Sequence, residues 1–155
     1  MNPLKFRRVK DTDIWDIYEI SNDPAVRKFS FSQKPISREE HLNWFRKVDK
    51  KFFFVAEVDN RVVGQIRFDK KREDLYEVSI SVPPFWRGKG IGRFILREGL
   101  KELLKGVKNA EVIARVREEN IASRRLFEKE GFEELKREKG IITYRYGEKG
   151  EIGNP

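Results

Sequence analysis

Ser79-Ile80-Ser81-Val82-Pro83-Pro84-Phe85-Trp86-Arg87-Gly88-Lys89-Gly90-Ile91-Gly92 leads from an alternating apolar segment into an apolar helical pattern, with its glycines at the junction. A strand that stops at prolines, then glycines spaced by single residues, then a helix start, gathers unpaired backbone N–H groups at the positive end of a helix dipole. Such a turn suits an anion, for example the phosphate of a cofactor. Glycine lets a ligand approach the main chain, and Arg87 and Lys89 add positive charge nearby. Two familiar phosphate motifs are excluded by spacing. G-x-x-x-x-G-K-[ST] and G-x-G-x-x-G both fail, and what stands here is R-x-x-G-x-G from Arg87 to Gly92. Taken alone, these glycines read as a tight turn; the flanking elements favour the anion site.

Upstream, Leu75 to Val82 reads as a half-buried strand, with Val78, Ile80 and Val82 on one face and Glu77, Ser79 and Ser81 on the other. Downstream, Phe94, Ile95, Leu96, Leu100, Leu103 and Leu104 recur at helical spacing, and Gly106 follows as a C-terminal cap. Lys51 to Val58 and Arg61 to Phe68 form a hairpin about the Asp59-Asn60 turn, and the charged cluster Asp69 to Asp74 reads as a second turn. Further towards the amino terminus, Leu4, Phe6 and Val9 suggest a strand, and Asp11 or Thr12 caps a helix carrying Ile14, Trp15, Ile17, Tyr18 and Ile20. A short helical turn is expected at Pro24 to Lys28, and Ser37-Arg38-Glu39-Glu40 is a capping box that opens another helix. After the central helix come a strand at Glu111 to Val116, a helix capped by Asn120 and ending at Gly131, and a last strand at Ile141 to Tyr146.

At 155 residues the chain has the size of one domain, read as 1–147, with 148–155 as a polar tail. It shows no transmembrane run and no signal peptide, so a cytoplasmic protein without membrane association is expected. With no cysteine and one histidine, thiolate chemistry is excluded and no metal site is expected. Thirty-four Lys and Arg against 26 Asp and Glu give a net charge of +8, which favours an anionic ligand. Nucleic acid fits that charge too. However, the cations are interleaved with acids and no recognised binding motif is present, so nucleic acid is ranked well below a small-molecule site.

The order of elements, with the glycine turn after the fourth strand, resembles the GNAT superfamily of acetyl-CoA-dependent N-acyltransferases. Two stretches carry the resemblance, which covers nearly the whole chain. Pro84-Phe85-Trp86-Arg87-Gly88-Lys89-Gly90-Ile91-Gly92 is similar to the superfamily's pyrophosphate loop, and Asn120-Ile121-Ala122-Ser123-Arg124-Arg125-Leu126-Phe127-Glu128-Lys129-Glu130-Gly131-Phe132 to its N-x-x-[AS]-x-x-[FL]-[YF]-E-K-x-G-F helix. The implied fold is α/β of the α+β type. It has a mixed, mostly antiparallel central sheet of about six to seven strands, flanked by helices and splayed after the fourth strand, where a bulge is expected.

The resemblance implies acetyl-CoA as acyl donor, with no metal. Ile80, Ser81 and Val82 would meet the pantetheine amides, the N–H groups from Arg87 through Gly88, Lys89, Gly90, Ile91 and Gly92 to Arg93 would face the pyrophosphate, and Asn120 would stand near the pantetheine arm. Glu77 lies where many members carry the base that deprotonates the amine. The position that often supplies a tyrosine acid is Phe127 here, so a hydroxyl of Tyr144, Tyr146 or Tyr76 would substitute if the fold brings it to the sulfur, Tyr144 being the first choice, or water would serve. The acceptor implied is a primary amine, either a small molecule such as a nucleotide-linked amino sugar or a protein N-terminus. Arg27, Lys28, Lys34 and Arg38 would meet its acidic groups, with Phe29, Phe31 and Trp44 as apolar walls. A catalytically silent, CoA-binding regulatory domain is the competing reading, and an exposed strand edge offers a route to a homodimer.

Overall fold

Phe53 and Phe54 are both buried although successive residues of a strand face opposite sides of its sheet. Phe54, Ala56 and Val58 join one apolar cluster, while Phe53 and Val55 join a second with Ile17 and Phe45. A strand with both faces covered reads as a continuous apolar run, which explains the sequence from 52 to 58.

The computed structural model describes residues 3–147, and the tail read at 148–155 lies outside the described residues. In chain order the elements are β1 (Lys5–Arg8), α1 (Ile14–Asn22), α2 (Pro24–Arg27), α3 (Arg38–Lys47), β2 (Phe53–Val58), β3 (Arg61–Arg72), β4 (Leu75–Ser81), α4 (Ile91–Gly106), β5 (Glu111–Arg117), α5 (Ile121–Lys129), β6 (Phe132–Glu138) and β7 (Ile141–Tyr146). The strands form one seven-stranded sheet in the order β1-β2-β3-β4-β5-β7-β6. Every neighbouring pair is antiparallel except β4 and β5. Parallel neighbours need a long crossover, and α4 supplies it. It lies close on the sheet because of Gly99, where a Cβ would stand 3.0 Å from both Ile66 and Phe68 side chains.

Three local expectations changed. The Asp69–Asp74 cluster is not all turn. β3 runs on to Arg72, leaving Glu73-Asp74 to reverse the chain, with Asp74 at φ 62. Its charged side chains face solvent while its backbone pairs with β4, as a ladder permits. β6 is a strand that the sequence pattern does not announce. It is an edge strand on which only Phe132 is buried, so no period-two pattern marks it. It returns to β7 through Lys139 and Gly140, at φ 52 and 77, a two-residue hairpin turn.

At the start of α1, neither Asp11 nor Thr12 caps the helix. A single 3-10 turn, Asp11–Asp13, leads in, and Asp13 is the residue that anchors it. Its carboxylate accepts from Lys10 N–H at 2.7 Å and from the Arg7 guanidinium at 2.8 and 2.9 Å, and Arg7 also reaches Glu57 at 2.6 Å. Burial alone would raise the Asp13 carboxyl, but these donors outweigh it and hold it below the ordinary range. A depressed native value means stability that is complete above the unfolded value and lost as pH falls through the native one. Asp13→Asn should therefore cost about 2–3 kcal/mol in urea unfolding at pH 7, and the gap to wild type should narrow below about pH 4.

Candidate active site

β4 and β5 are paired only from Leu75–Glu77 to Glu111–Ile113, and then they part. On their far edges both remain in the sheet, β4 with β3 as far as Ser81 and β5 with β7 as far as Arg117. The result is a wedge in which main-chain groups of β4 face a gap rather than a neighbour. The bulge that the resemblance implies is not in β4. The β3–β4 register is regular from Gln65–Ser81 to Lys70–Tyr76, and its one irregularity lies at Lys70/Arg72, at the other end. The wedge opens into a cleft of about 780 Å³ lined by Glu77 to Val82, Arg115 to Arg117, the glycine turn, the start of α5 and residues of the α2–α3 connection.

The glycine turn closes one end. Gly88 and Gly90 have φ of 75 and 79, and a Cβ on either would meet nothing within 4 Å. Their role is conformational, and the space in front of them is open. The first α4 bond runs from Phe94 N–H to the Gly90 carbonyl at 3.0 Å, so the N–H groups of Ile91, Gly92 and Arg93 precede the helical ladder. Gly92 keeps negative φ, and its Cβ would only touch Leu126 at 3.5 Å. Of the two cations expected at the mouth, Arg87 lines the cleft and Lys89 does not. Arg87 donates from Nε to the Val82 carbonyl at 2.8 Å and straps the turn to the end of β4, while Lys89 stands 5.9 Å from the Phe85 ring and is absent from the cleft lining. Arg93 does line the cleft, but it shares Glu130 with Arg97, at 2.9 and 2.7 Å. The main-chain N–H groups of the turn thus share the cleft with the side chains of Arg87, Arg93, Arg125 and Lys129.

Glu77 stands at the floor of the wedge, 8% exposed. Its Oε2 accepts from Arg115 Nε at 2.9 Å and its Oε1 lies 3.6 Å from Lys71 Nζ. Neither cation was singled out in the sequence. Arg115 also lies 4.7 Å over the Phe31 ring, and Arg117, two residues on and therefore on the same face, donates to the Ser30 and Phe31 carbonyls at 3.0–3.1 Å. These two arginines fasten the α2–α3 connection against the cleft, which brings Phe29 and Phe31 into its wall. Trp44, Lys34 and Arg38 are not in that wall; Trp44 packs on the second apolar cluster and Arg38 stacks 4.1 Å over Trp15. His41 is 2% exposed, and its Nε2 donates to the Ile14 carbonyl at 2.7 Å, a packing role.

Asn120 lines the cleft and also caps α5, accepting from Ser123 N–H at 3.2 Å. Phe127 lines the cleft as well. The structure does not bring Tyr144 there: it is fully buried, its ring stacked 6.3 Å from that of Phe127, and its hydroxyl donates to Glu128 at 2.6 Å. Burial, and then the Glu128 carboxylate, push its phenol above the ordinary tyrosine value, which makes it a poorer proton donor. Tyr76 and Tyr146 are likewise outside the lining, packed against Phe52 and Phe132. Tyr144→Phe should retain turnover within threefold while losing about 2 kcal/mol of stability, read by steady-state kinetics and urea unfolding. Among the described residues no cluster of His, Cys, Asp and Glu could hold a metal ion, and no helix is long and apolar enough to cross a membrane.

A family model described as an acetyltransferase (GNAT) domain matches residues 4–133. An uncharacterized protein of Methanocaldococcus jannaschii, MJ1062, is 31% identical over 137 residues, which cover 84% of this chain and 28% of that protein. An uncharacterized N-acetyltransferase of the same organism, MJ1207, is 31% identical, over 88% of this chain and 63% of its own length. The chain thus spans less than two thirds of both relatives. The crystal structure of a ribosomal-protein-alanine N-acetyltransferase from Brucella melitensis superposes with a TM-score of 0.78 at 25% identity, covering 91% of this chain and 98% of that one. Sheet order, wedge and family match agree, and the chain belongs to the GNAT superfamily of acetyl-CoA-dependent N-acetyltransferases.

Proposed function

We propose that this protein transfers an acetyl group from acetyl-CoA to a primary amine by direct attack, within the cleft between β4 and β5. The observation that carries this reading is the alignment of three features along one strand: Glu77 where β4 and β5 part, the free edge of β4 beyond it, and the cradle at its end. The N–H groups from Gly88 to Arg93 bind the pyrophosphate at the positive end of α4, with Arg87 holding the turn in shape. Main-chain groups of Ile80, Ser81 and Val82 that face the wedge take the pantetheine amides, and Asn120 borders the same arm. Bound there, acetyl-CoA supplies a thioester acetyl group, with CoA thiolate as the leaving group.

An amine near neutral pH is mostly ammonium and must lose a proton before it attacks. Glu77 accepts that proton, directly or through one water, while Arg115 and Lys71 orient its carboxylate. The thiolate takes its proton from solvent, since Phe127 offers none. The wall from Ala25 to Phe31 faces the acceptor. The acceptor is a small-molecule amine such as a nucleotide-linked amino sugar, or a protein N-terminus; the Brucella neighbour is named for alanine of a ribosomal protein. Residues 1–147 act as one acetyltransferase domain.

Thiol release from acetyl-CoA, measured against a panel of amino sugars, amino acids, alkylamines and peptides, tests the reading. Turnover with at least one class is expected. Tight acetyl-CoA binding without release across the panel would instead identify a regulatory CoA-binding domain.

A further inference from the structure

A second, smaller chamber of about 160 Å³ opens beside the cleft and shares Ser79 and Ser81 with it. At roughly 30 Å³ per water it holds about five waters, room enough for a carboxylate or phosphate-sized group. It is polar, and no Asp or Glu lines it. Among the described residues, the buried side-chain polar atoms without a hydrogen-bond partner are Arg27 Nε and Gln65 Oε1, and both residues line this chamber.

Its two cations differ. Arg67 is countered by Asp69 at 2.9 Å and stacks 5.1 Å over Trp44. Arg27 forms no ion pair among the described residues; its Nη2 donates to the Ser32 carbonyl and its Nε to nothing. Burial without a counter-charge pulls its guanidinium below the ordinary arginine value. Gln65 is 7% exposed and donates to Ser21 Oγ at 3.3 Å. Rotating its terminal amide lets Oε1 accept the Ser21 hydroxyl and frees Nε2 to donate. A cation without a counter-charge, an adaptable amide and strand hydroxyls make a receptor for an oxyanion.

We propose that this chamber binds a small oxyanion, carboxylate or phosphate-like, carried by the amine acceptor and held by Arg27 and Gln65 with Ser79 and Ser81. The substrates are then amines that bear an anionic group. The proposal rests on the acetyl-transfer reading for its amine. Glu77, Ser79 and Ser81 share a face of β4, so anion and amine are separated by a span on the order of 7 Å, the advance of two strand residues.

The test compares ω-aminocarboxylates from 3-aminopropanoate to 6-aminohexanoate with n-alkylamines of equal length, and with the matching ω-aminoalkylphosphonates. In wild type, kcat/KM for the best anionic amine should exceed that of its alkylamine at least tenfold. Whichever anionic series leads identifies the oxyanion. That ratio should fall at least tenfold in Arg27→Gln and in Gln65→Glu, which places a carboxylate in the chamber, and recover in part in Arg27→Lys. A wild-type ratio near one, or equal losses on both amines in folded Arg27→Gln, would overturn the proposal and leave a solvent-filled chamber. If no amine releases thiol, calorimetry on enzyme saturated with CoA decides separately. Anionic amines that bind wild type but not Arg27→Gln support the chamber although the transfer reading has failed; absent or unchanged binding overturns it.

Discussion

Gly90→Val is expected to raise the Kd for acetyl-CoA at least a hundredfold while the protein still folds. Gly90 holds φ 79, a left-handed conformation that a β-branched residue adopts at a cost of about 1–3 kcal/mol. A Cβ there meets nothing within 4 Å, so the side chain enters the space in front of the free N–H groups rather than the core. A hundredfold is about 2.8 kcal/mol, the scale of one or two charge-assisted hydrogen bonds. Gly90→Asn separates strain from occlusion, because asparagine tolerates the left-handed region and the added side chain still intrudes. It should weaken binding about tenfold with a Tm within a few degrees of wild type. Calorimetric titration of both folded variants reads the effect, and wild-type affinity in both would remove the pyrophosphate site from the turn.

Glu77→Gln should lower kcat/KM for the amine by about a hundredfold or more, the usual contribution of a positioned base. Glutamine keeps the shape and can still accept from Arg115, which is half exposed and loses little by the change. The loss should be greatest at low pH, where ammonium dominates and solvent cannot replace the carboxylate. Towards alkaline pH free amine accumulates, and the two enzymes should converge. A pH–rate profile of unchanged shape would place the proton elsewhere. Acetyl-CoA binding measured on the same variant separates a lost base from a collapsed cleft.

What the sequence made legible was local. Ser37 and Glu40 close their capping box within four residues, at 3.0 and 2.9 Å, and Asp59-Asn60 makes its turn with both φ positive. The glycine turn belongs to the same kind, because a left-handed residue followed by a helix start leaves its mark in adjacent letters. The partners of Glu77 do not. Arg115 is 38 residues away and meets it only because β5 lies parallel to β4 in one register. Tyr144 suited proton donation by residue type, yet the direction of its hydroxyl is set by Glu128 on α5. β6 is illegible for a different reason: an edge strand with one buried side chain has no alternation to display. What marks Arg27 is the absence of a counter-charge among the described residues, and an absence has no motif.

The parting of β4 and β5 gives the protein an unfinished sheet. Three residue pairs join the four strands on one side to the three on the other, and beyond them the ladder has a missing rung. A pantetheine arm, with amides spaced along an extended chain, is chemically close to a length of β-strand. In the proposed complex the donor takes the place of a strand the chain never encoded. Recognition of that kind reads a backbone rather than side chains, so sequence can drift along β4 while its carbonyls and N–H groups keep the same alphabet.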